Sequence, residues 1–181
     1  DECAPYPASE DYMEKSINLT FDWAKRSKIY FDENNSSLCY SGLDKPALFG
    51  IVQGGVYLKW REKNLAQIAS LGFDGMAIGG VSVGESSEEM KKIVSHICPM
   101  MPESVPHYLM GVGFPEEIVY SATHGIDMFD CVIPTRHARH GSVFVFKDKE
   151  NWDLDYTQSA GERKNPNLFY ESLNLKNDQI L

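Results

Sequence analysis

Four short apolar segments, each closed by glycine or proline, limit the folds open to this sequence. They cover residues 47–54, 73–81, 107–113 and 128–134. None alternates apolar and polar residues as a strand with one solvent-exposed face does. Each segment is therefore predicted to be a strand buried on both faces. Strands of that kind belong to parallel sheets, whose two faces are covered by other elements.

Helical patterns fill the intervals before and between these segments. Between the second and third, four apolar residues have the spacing of one helix face: Met90, Ile93, Val94 and Ile97. Ser86 and Glu89 in front of them predict a capping box, in which each side chain accepts from the other residue's backbone N–H. Further helices are predicted over 12–31, 57–71 and 115–125, the last beginning at a proline and ending at a glycine.

This alternation of strand and helix predicts an α/β fold whose parallel strands are joined by crossover helices. A doubly wound sheet and a (β/α)8 barrel both fit the order. Glycine and polar residues follow every predicted strand, as at 53–55 and 79–80, and the C-terminal ends of the strands form the active face in either fold. Because a complete barrel needs about 250 residues, these 181 residues are predicted to form a partial (β/α)8 TIM barrel.

The composition argues against several classes of protein. Hydrophobic residues make up 43% of the chain, which suits a single unit with a sizeable core, and no apolar run has the length of a membrane span. The four cysteines are too far apart for a C-x-x-C metal site and too sparse for a small disulfide framework. We therefore expect reduced thiols and a cytoplasmic protein.

Charge argues against a broad nucleic-acid-binding surface, because the formal net charge is −9. The exception is one basic stretch, Arg136-His137-Ala138-Arg139-His140. Long-range charge and local phosphate contacts are separate matters, so this stretch stays a candidate for contact with a nucleic-acid backbone.

Asp130 is the best candidate for chemistry when judged from pattern alone. In a strand over 128–133, alternation places Asp130 on one face with Met128 and Val132. A carboxylate among apolar neighbours costs free energy to bury unless it has a hydrogen-bond partner or a function. A structural acid and a catalytic acid both fit this pattern. The glycine pairs match neither a dinucleotide fingerprint nor a P-loop, so tight turns are the simpler interpretation of them.

Five motifs together resemble the tRNA-guanine transglycosylase family in its bacterial form. They stand in the family's order and near its spacing over residues 1 to about 146: DECAPYP (1–7), FGIVQGG (49–55), GFDGMAIGGVSVGE (72–85), HYLMGVG (107–113), and GIDMFDCVIPTR (125–136) followed by ARHG (138–141). The resemblance implies a modified (β/α)8 barrel with an inserted zinc-binding subdomain. It also implies exchange of the guanine at the wobble position of a tRNA anticodon for the 7-deazaguanine preQ1, a step of queuosine biosynthesis.

The same resemblance implies that Asp130 is the nucleophile, which attacks the ribose C1′ and forms a covalent RNA ester. A carboxylate suits this step because the sugar becomes oxocarbenium-like. Asp1 is implied to accept hydrogen bonds from N1–H and the exocyclic amine of the base. Gln53 and the Gly80 N–H are implied to bind the carbonyl and imidazole edge.

Further residues are implied to surround the base and the RNA. Met110 is implied to pack on one face of the base, and the Val81 backbone to contact its 7-substituent. Glu85 is implied to hold the Val81 peptide, and Cys3 to belong to a substrate pocket of the bacterial type. Two arginines are implied to grip the anticodon loop beside the unstacked target, Arg136 and Arg139.

By this resemblance the chain divides into a catalytic barrel segment (1–146), an insertion or surface excursion (147–172) and the start of a region leading to the zinc subdomain (173–181). The family's second catalytic Asp, the aromatic that sandwiches the base and the Cys/His ligands of a structural zinc do not occur in these 181 residues. We therefore expect an internal segment of a homodimeric enzyme, inactive on its own, and we assign no metal ligands within it.

Two other functions stay open at this point. A phosphate- or flavin-binding TIM-barrel enzyme would use the glycines at 79–80 and 111–113, and it would leave Asp130 without a role. A non-catalytic tRNA-binding subunit of the same family would have no need of Asp1, Gln53 and Asp130 together.

Overall fold

The computed structural model describes residues 1–38, 46–147 and 169–175. Its elements in chain order are α1 (Glu10–Leu38), β1 (Phe49–Val52), α2 (Leu58–Ala69), β2 (Gly75–Ile78), α3 (Ser87–Ile97), β3 (His107–Leu109), α4 (Pro115–Thr123), β4 (Met128–Phe129), α5 (Ile133–His140), β5 (Ser142–Phe146) and β6 (Tyr170–Asn174). A 3-10 helix, Cys98–Met100, directly follows α3. Within the described ranges, no helix is long and apolar enough to cross a membrane.

Strands β1 to β4 form one parallel sheet in the order of the sequence. Ile78 of β2 pairs with Leu109 of β3, which in turn pairs with Phe129 of β4. Neighbours in space that are also neighbours in sequence, with a helix in each crossover, are typical of a (β/α)8 barrel, whereas a doubly wound sheet reverses its strand order at a switch point. The predicted α/β class and partial barrel are thereby confirmed.

The core joins the sheet to helices α2 and α3. Every residue of β2 is buried, which is the expected state of a central parallel strand. The innermost apolar side chains of this core are Ile68, Met76, Ile78, Ile93, Ile97 and Leu109. Burial of this apolar surface fixes the strand ends relative to the helices and so gives the loops between them a rigid base.

The helix starts follow the sequence signals. Ser86 Oγ accepts from the Glu89 N–H at 3.2 Å, and Glu89 Oε2 accepts from the Ser86 N–H at 3.0 Å, so the predicted capping box before α3 is confirmed. Helix α4 begins at Pro115, whose missing N–H costs nothing in a first turn. The helix predicted over 12–31 exists but is longer, since α1 begins two residues earlier and continues to Leu38.

The prediction of a long fourth strand is wrong. Only Met128 and Phe129 pair with β3, and residues 133–134, placed in the strand by the sequence pattern, begin helix α5. Pro134 explains the difference, because its fixed φ suits the first turn of a helix and it has no N–H for a ladder. The expectation that Met128, Asp130 and Val132 share one strand face fails with it, and Asp130 is exposed.

Strands β5 and β6 form an antiparallel pair outside the parallel sheet, with Phe146 opposite Tyr170. Most of the predicted excursion over 147–172 lies outside the described residues. Its last residues, 170–172, are part of β6 and therefore belong to this regular pair. The phenol of Tyr170 donates to Glu116 Oε2 at 2.5 Å, which ties β6 to the first turn of α4.

Candidate active site

The C-terminal ends of the parallel strands bring the candidate residues to one edge of the sheet. Gln53 follows β1, Gly79 and Gly80 follow β2, Met110 follows β3, and Asp130 follows β4. In (β/α)8 barrels this edge carries the active site, because the loops that leave the strands converge there. The sequence alone predicted this grouping correctly.

Asp1 and Gln53 are in direct contact. Gln53 is 2% exposed and donates from Nε2 to Oδ2 of Asp1 at 2.7 Å. Its backbone N–H donates to Oδ1 of Asn64 on α2 at 2.8 Å. Hydrogen bonds therefore hold both the side chain and the backbone of Gln53. A buried amide fixed in this way presents a defined donor and acceptor pattern. Asp1 itself is exposed and accessible to a ligand.

Gly80 lies directly against the Gln53 amide. Its φ is +61°, and a Cβ at this position would overlap Oε1 of Gln53. Both facts require glycine, because other residues carry a Cβ and avoid positive φ. The Gly80 N–H donates to no residue within the described ranges, which leaves it available to a ligand. Because the resemblance implies that these residues bind a base, we name Asp1, Gln53 and Gly80 the base-recognition cluster.

Arg61 is a site residue that the sequence analysis missed. It is 0% exposed, and its guanidinium donates to backbone carbonyls at the end of β1 and in the loops after β1 and β2. The charged neighbours Lys59, Glu62 and Lys63 make this part of α2 look like a solvated surface. Helical spacing could have predicted the burial of Arg61. Leu65, four residues later on the same helix face, is buried.

Glu85 holds the loop that follows Gly80. Its Oε1 accepts from the Ser82 N–H and its Oε2 from the Val83 N–H, the latter at 3.0 Å. Ser82 has a φ of 60°, a strained conformation for a residue with a side chain, and these two bonds offset that strain. Because the N–H and C=O of one peptide plane point in opposite directions, the Val81 carbonyl points away from Glu85.

Asp130 is held by β3 and by the loop that follows it. Oδ1 of Asp130 accepts from the Tyr108 hydroxyl at 2.7 Å and from the Gly111 N–H at 3.0 Å. These two bonds, that of Tyr108 first, hold the pKa of Asp130 below its ordinary value. Both bonds go to Oδ1, and no donor within the described ranges reaches Oδ2. Because the resemblance implies that Asp130 is a nucleophile, we name Tyr108, Gly111 and Asp130 the nucleophile cluster.

The two clusters are neighbours through the loop that contains Val81 and Ser82. A Cβ at Gly111 would lie 3.5 Å from Cβ of Ser82 and 3.9 Å from the Val81 carbonyl oxygen. The loop held by Glu85 therefore packs directly beside the Gly111 backbone that binds Asp130. The two clusters therefore line the same side of the site.

Asp127 lies at the opposite edge of the sheet. Its carboxylate accepts from the His107 N–H at 2.8 Å, and its own N–H donates to the His107 carbonyl at 2.9 Å. Both groups are used to pair the starts of β3 and β4, so Asp127 is a structural acid.

The two arginines lie on α5, a helix that the sequence did not predict. Both are exposed, and their spacing of three residues places them on neighbouring positions of one face. Arg136 lines a cleft of about 360 Å³ together with Glu85, Gly111 and Cys131. Arg136 therefore borders the nucleophile cluster, while Arg139 lies one turn further along the helix.

The remaining predicted residues differ in exposure. Val81 is buried, Met110 is half-buried at the end of β3, and Cys3 is an exposed free thiol. The Met110 N–H donates to the Ile78 carbonyl at 3.3 Å, which continues the sheet by one bond beyond the strands. Met110 thus stands between the strand end and the Gly111 that binds Asp130.

The model of the queuine tRNA-ribosyltransferase family matches residues 1–180 of the chain. The chain belongs to this family. The TIM-barrel fold of the queuine tRNA-ribosyltransferases agrees with the parallel sheet, and membership supports tRNA-guanine transglycosylation as the general reaction, with tRNA and guanine-type bases as substrates.

The glycine pair after β2 is held by two neighbouring side chains. The carbonyls of Gly79 and Gly80 accept from Arg61, and the Gln53 amide lies against both glycines. Membership in this family, whose general reaction is tRNA-guanine transglycosylation, argues against the phosphate- or flavin-binding alternative. Within the described ranges, no three His, Cys, Asp or Glu side chains lie close enough together to hold a metal ion.

Proposed function

We propose that the protein replaces guanine at the tRNA wobble position with preQ1 through a covalent bond between Asp130 and the ribose. Family membership supplies the general reaction. The covalent intermediate, the identity of the incoming base and the residue roles are our proposal, and they are supported by the arrangement of the base-recognition and nucleophile clusters.

The state of the Asp130 carboxylate carries this proposal. Two hydrogen bonds fix Oδ1 and favour the ionised form, while Oδ2 receives no donor from the described residues. A carboxylate that is charged, exposed and held by one oxygen has its other oxygen oriented for attack. A purely structural acid, such as Asp127, instead accepts from the backbone of its own sheet.

The reaction then proceeds in two balanced halves. In the first, Oδ2 of Asp130 attacks C1′ while the C1′–N9 bond breaks, and the electron pair of that bond leaves with guanine N9, which takes up a proton. In the second, N9 of preQ1 attacks C1′, the C1′–Oδ2 bond breaks, and N9 releases its proton. Two inversions restore the original anomer, as in a retaining glycosidase.

The base-recognition cluster orients the base for both halves. The Asp1 carboxylate accepts from N1–H and the exocyclic amine, and Gln53 and the Gly80 N–H face the other edge. Asp1 and Gln53 already bind each other, so little ordering remains when the base arrives. The Val81 carbonyl, turned away from Glu85, is the acceptor we assign to the aminomethyl group of preQ1.

The decisive experiment is to trap the intermediate. The complete enzyme is incubated with tRNA and a deazaguanine and then denatured, and mass spectrometry maps the covalent RNA adduct. We expect the adduct on Asp130. Asp130→Asn should abolish both adduct and exchange while largely sparing tRNA binding, because the amide keeps the shape and loses the nucleophile.

Asp127→Asn is the matched control, since it makes the same chemical change three residues earlier. It should leave the adduct intact, apart from a loss of stability. An adduct that maps elsewhere, or one that survives Asp130→Asn, would contradict the mechanism. A wild-type protein that binds tRNA but forms no adduct and exchanges no base would instead support the non-catalytic subunit.

Three further expectations belong to this proposal. They are a structural zinc whose ligands lie outside the residues given, a homodimer as the active species, and inactivity of residues 1–181 on their own. Metal analysis, sedimentation and an exchange assay of the complete enzyme and of this segment would test them in turn.

A further inference from the structure

Arg61 places its guanidinium beneath the ends of two strands. Nε donates to the Gly55 carbonyl at 2.8 Å, and Nη1 donates to the carbonyls of Val52 at 3.1 Å and Gly79 at 2.7 Å. Nη2 donates to the Gly80 carbonyl at 3.0 Å. One side chain from α2 therefore fixes four backbone carbonyls: that of the last residue of β1, one in the loop after β1 and two in the loop after β2.

These carbonyls bracket the residues that face the base. Gln53 lies between Val52 and Gly55, so Arg61 holds the chain on both sides of it. The carbonyls of Gly79 and Gly80 are held by the same guanidinium, and the Gln53 amide rests against these two glycines. The separation between the two segments is thus set by the width of one planar group.

The packing around Arg61 leaves little room for another side chain. A Cβ at Gly54 would lie 2.7 Å from the Arg61 backbone nitrogen and 2.8 Å from its Cγ, so the β1 loop closes directly on it. Within the described ranges Arg61 forms no ion pair, and backbone carbonyls accept its hydrogen bonds. Burial lowers the pKa of Arg61 to about 10, and the charge of Glu85 opposes that shift. The guanidinium accordingly stays charged at neutral pH.

We propose that Arg61 is a positioning residue for base recognition, which sets the geometry of Gln53 and Gly80 and thereby the affinity for the base. This inference rests on the proposed function. Arg61 is buried beneath the loops and acts through their backbone. A rigid planar fork can join four carbonyls at fixed distances, whereas the compact ammonium of lysine cannot.

The test compares Arg61→Lys and Arg61→Met in the complete enzyme. Guanine exchange gives separate KM values for guanine and for tRNA, and calorimetry gives guanine binding directly. We expect KM and Kd for guanine to rise about tenfold or more in both variants, because carbonyls lose their donors and the loops relax. KM for tRNA should change little. Arg61→Lys keeps the charge and most of the side-chain volume, so it still tests the proposal if Arg61→Met does not fold.

His107→Leu provides the matched control. His107 is also buried, and its ring nitrogens contact the carbonyls of Gly125 and Pro102 at the opposite edge of the sheet. All variants are assayed at the same interval below their own Tm. His107→Leu should lower Tm without a selective rise in KM for guanine.

The outcomes separate this inference from the proposed function. A wild-type enzyme that neither binds nor exchanges guanine would overturn both. Normal exchange by the wild type, together with an unchanged KM for guanine in Arg61→Lys, would overturn the positioning role alone. An equal rise in His107→Leu would also overturn it, since general destabilisation would then account for the effect.

Discussion

The phenol of Tyr108 donates to Oδ1 of Asp130 at 2.7 Å, and this bond is the first reason that the pKa of Asp130 lies below its ordinary value. The same bond raises the pKa of Tyr108, because the carboxylate stabilises the protonated phenol. Tyr108 therefore belongs to the site although no sequence pattern singled it out. In the proposed mechanism, Tyr108 keeps the carboxylate of Asp130 charged and oriented.

Tyr108→Phe should move the acid limb of kcat/KM to higher pH. Asp130 attacks only as a carboxylate, so activity falls as the pH drops through its pKa. Removing the phenol raises that pKa toward the ordinary value, and the loss then begins at a higher pH. A pH profile of guanine exchange measures the shift, with Tyr120→Phe as the control, since the Tyr120 hydroxyl binds the Lys91 carbonyl on another part of the surface. An unmoved acid limb in Tyr108→Phe would show that Tyr108 does not control the charge of Asp130.

Helix α5 places the basic stretch over residues 136–140 beside Asp130. The helix begins just after Asp130 and ends at Gly141, whose φ of +71° provides a left-handed cap. Arg136 lines the cleft that also contains Gly111, which binds Asp130. A helix that turns two arginines outward next to a reactive carboxylate is suited to contact the RNA backbone near the target nucleotide.

Replacing Arg136 and Arg139 with Ala should weaken tRNA binding and flatten its salt dependence. Each phosphate contact contributes about one unit to the slope of log K against log salt, so two lost contacts should lower it by about two. Binding titrations at several salt concentrations measure the slope. Lys92→Ala removes an exposed cation from α3 and should leave the slope nearly unchanged. An unaltered affinity and slope in the double variant would remove α5 from the RNA interface.

Over the whole molecule, the two edges of the parallel sheet have different tasks. At the edge where the strands begin, Asp127 and His107 join β3 to β4 through backbone hydrogen bonds. At the other edge, Asp1 and Asp130 are exposed, so a ligand can reach their carboxylates. The core between these edges, centred on Ile78, gives the chemistry a rigid support.

The buried thiol of Cys98 should report the stability of this core. Burial raises the pKa of Cys98 to about 12, so the thiolate needed for alkylation is scarce until the molecule opens. Ile78→Ala should cost about 2–5 kcal/mol, and labelling of Cys98 by iodoacetamide should then accelerate at least about 30-fold. Mass spectrometry of the labelled peptides measures the rate, with exposed Cys3 as the internal control. Equal rates at both thiols in the wild type would contradict this account.

Local sequence patterns were sufficient for the order and type of most elements. The strand–helix alternation, the parallel sheet, the capping box at Ser86 and the start of α4 at Pro115 are all confirmed. Each depends on residues within a few positions of one another, or on a general rule for crossovers. The long strand over 128–134 is wrong because an apolar run does not reveal where pairing stops and a proline begins a helix.

The contacts that make the site were not accessible to such patterns. Gln53 meets Asp1 across 52 positions, Arg61 meets Gly80 across 19, and Tyr108 meets Asp130 across 22. The pairing of Leu109 with Phe129 brings the residues after β3 beside Asp130, and a slip of one residue would turn the side chains to the other face. Motifs identified the family and the candidate site residues, since chemistry restricts which side chains can bind a base or act as a nucleophile. Only the packed sheet decided that Arg61 is buried and that Tyr108 reaches Asp130, because strand register and helix docking depend on the whole core at once.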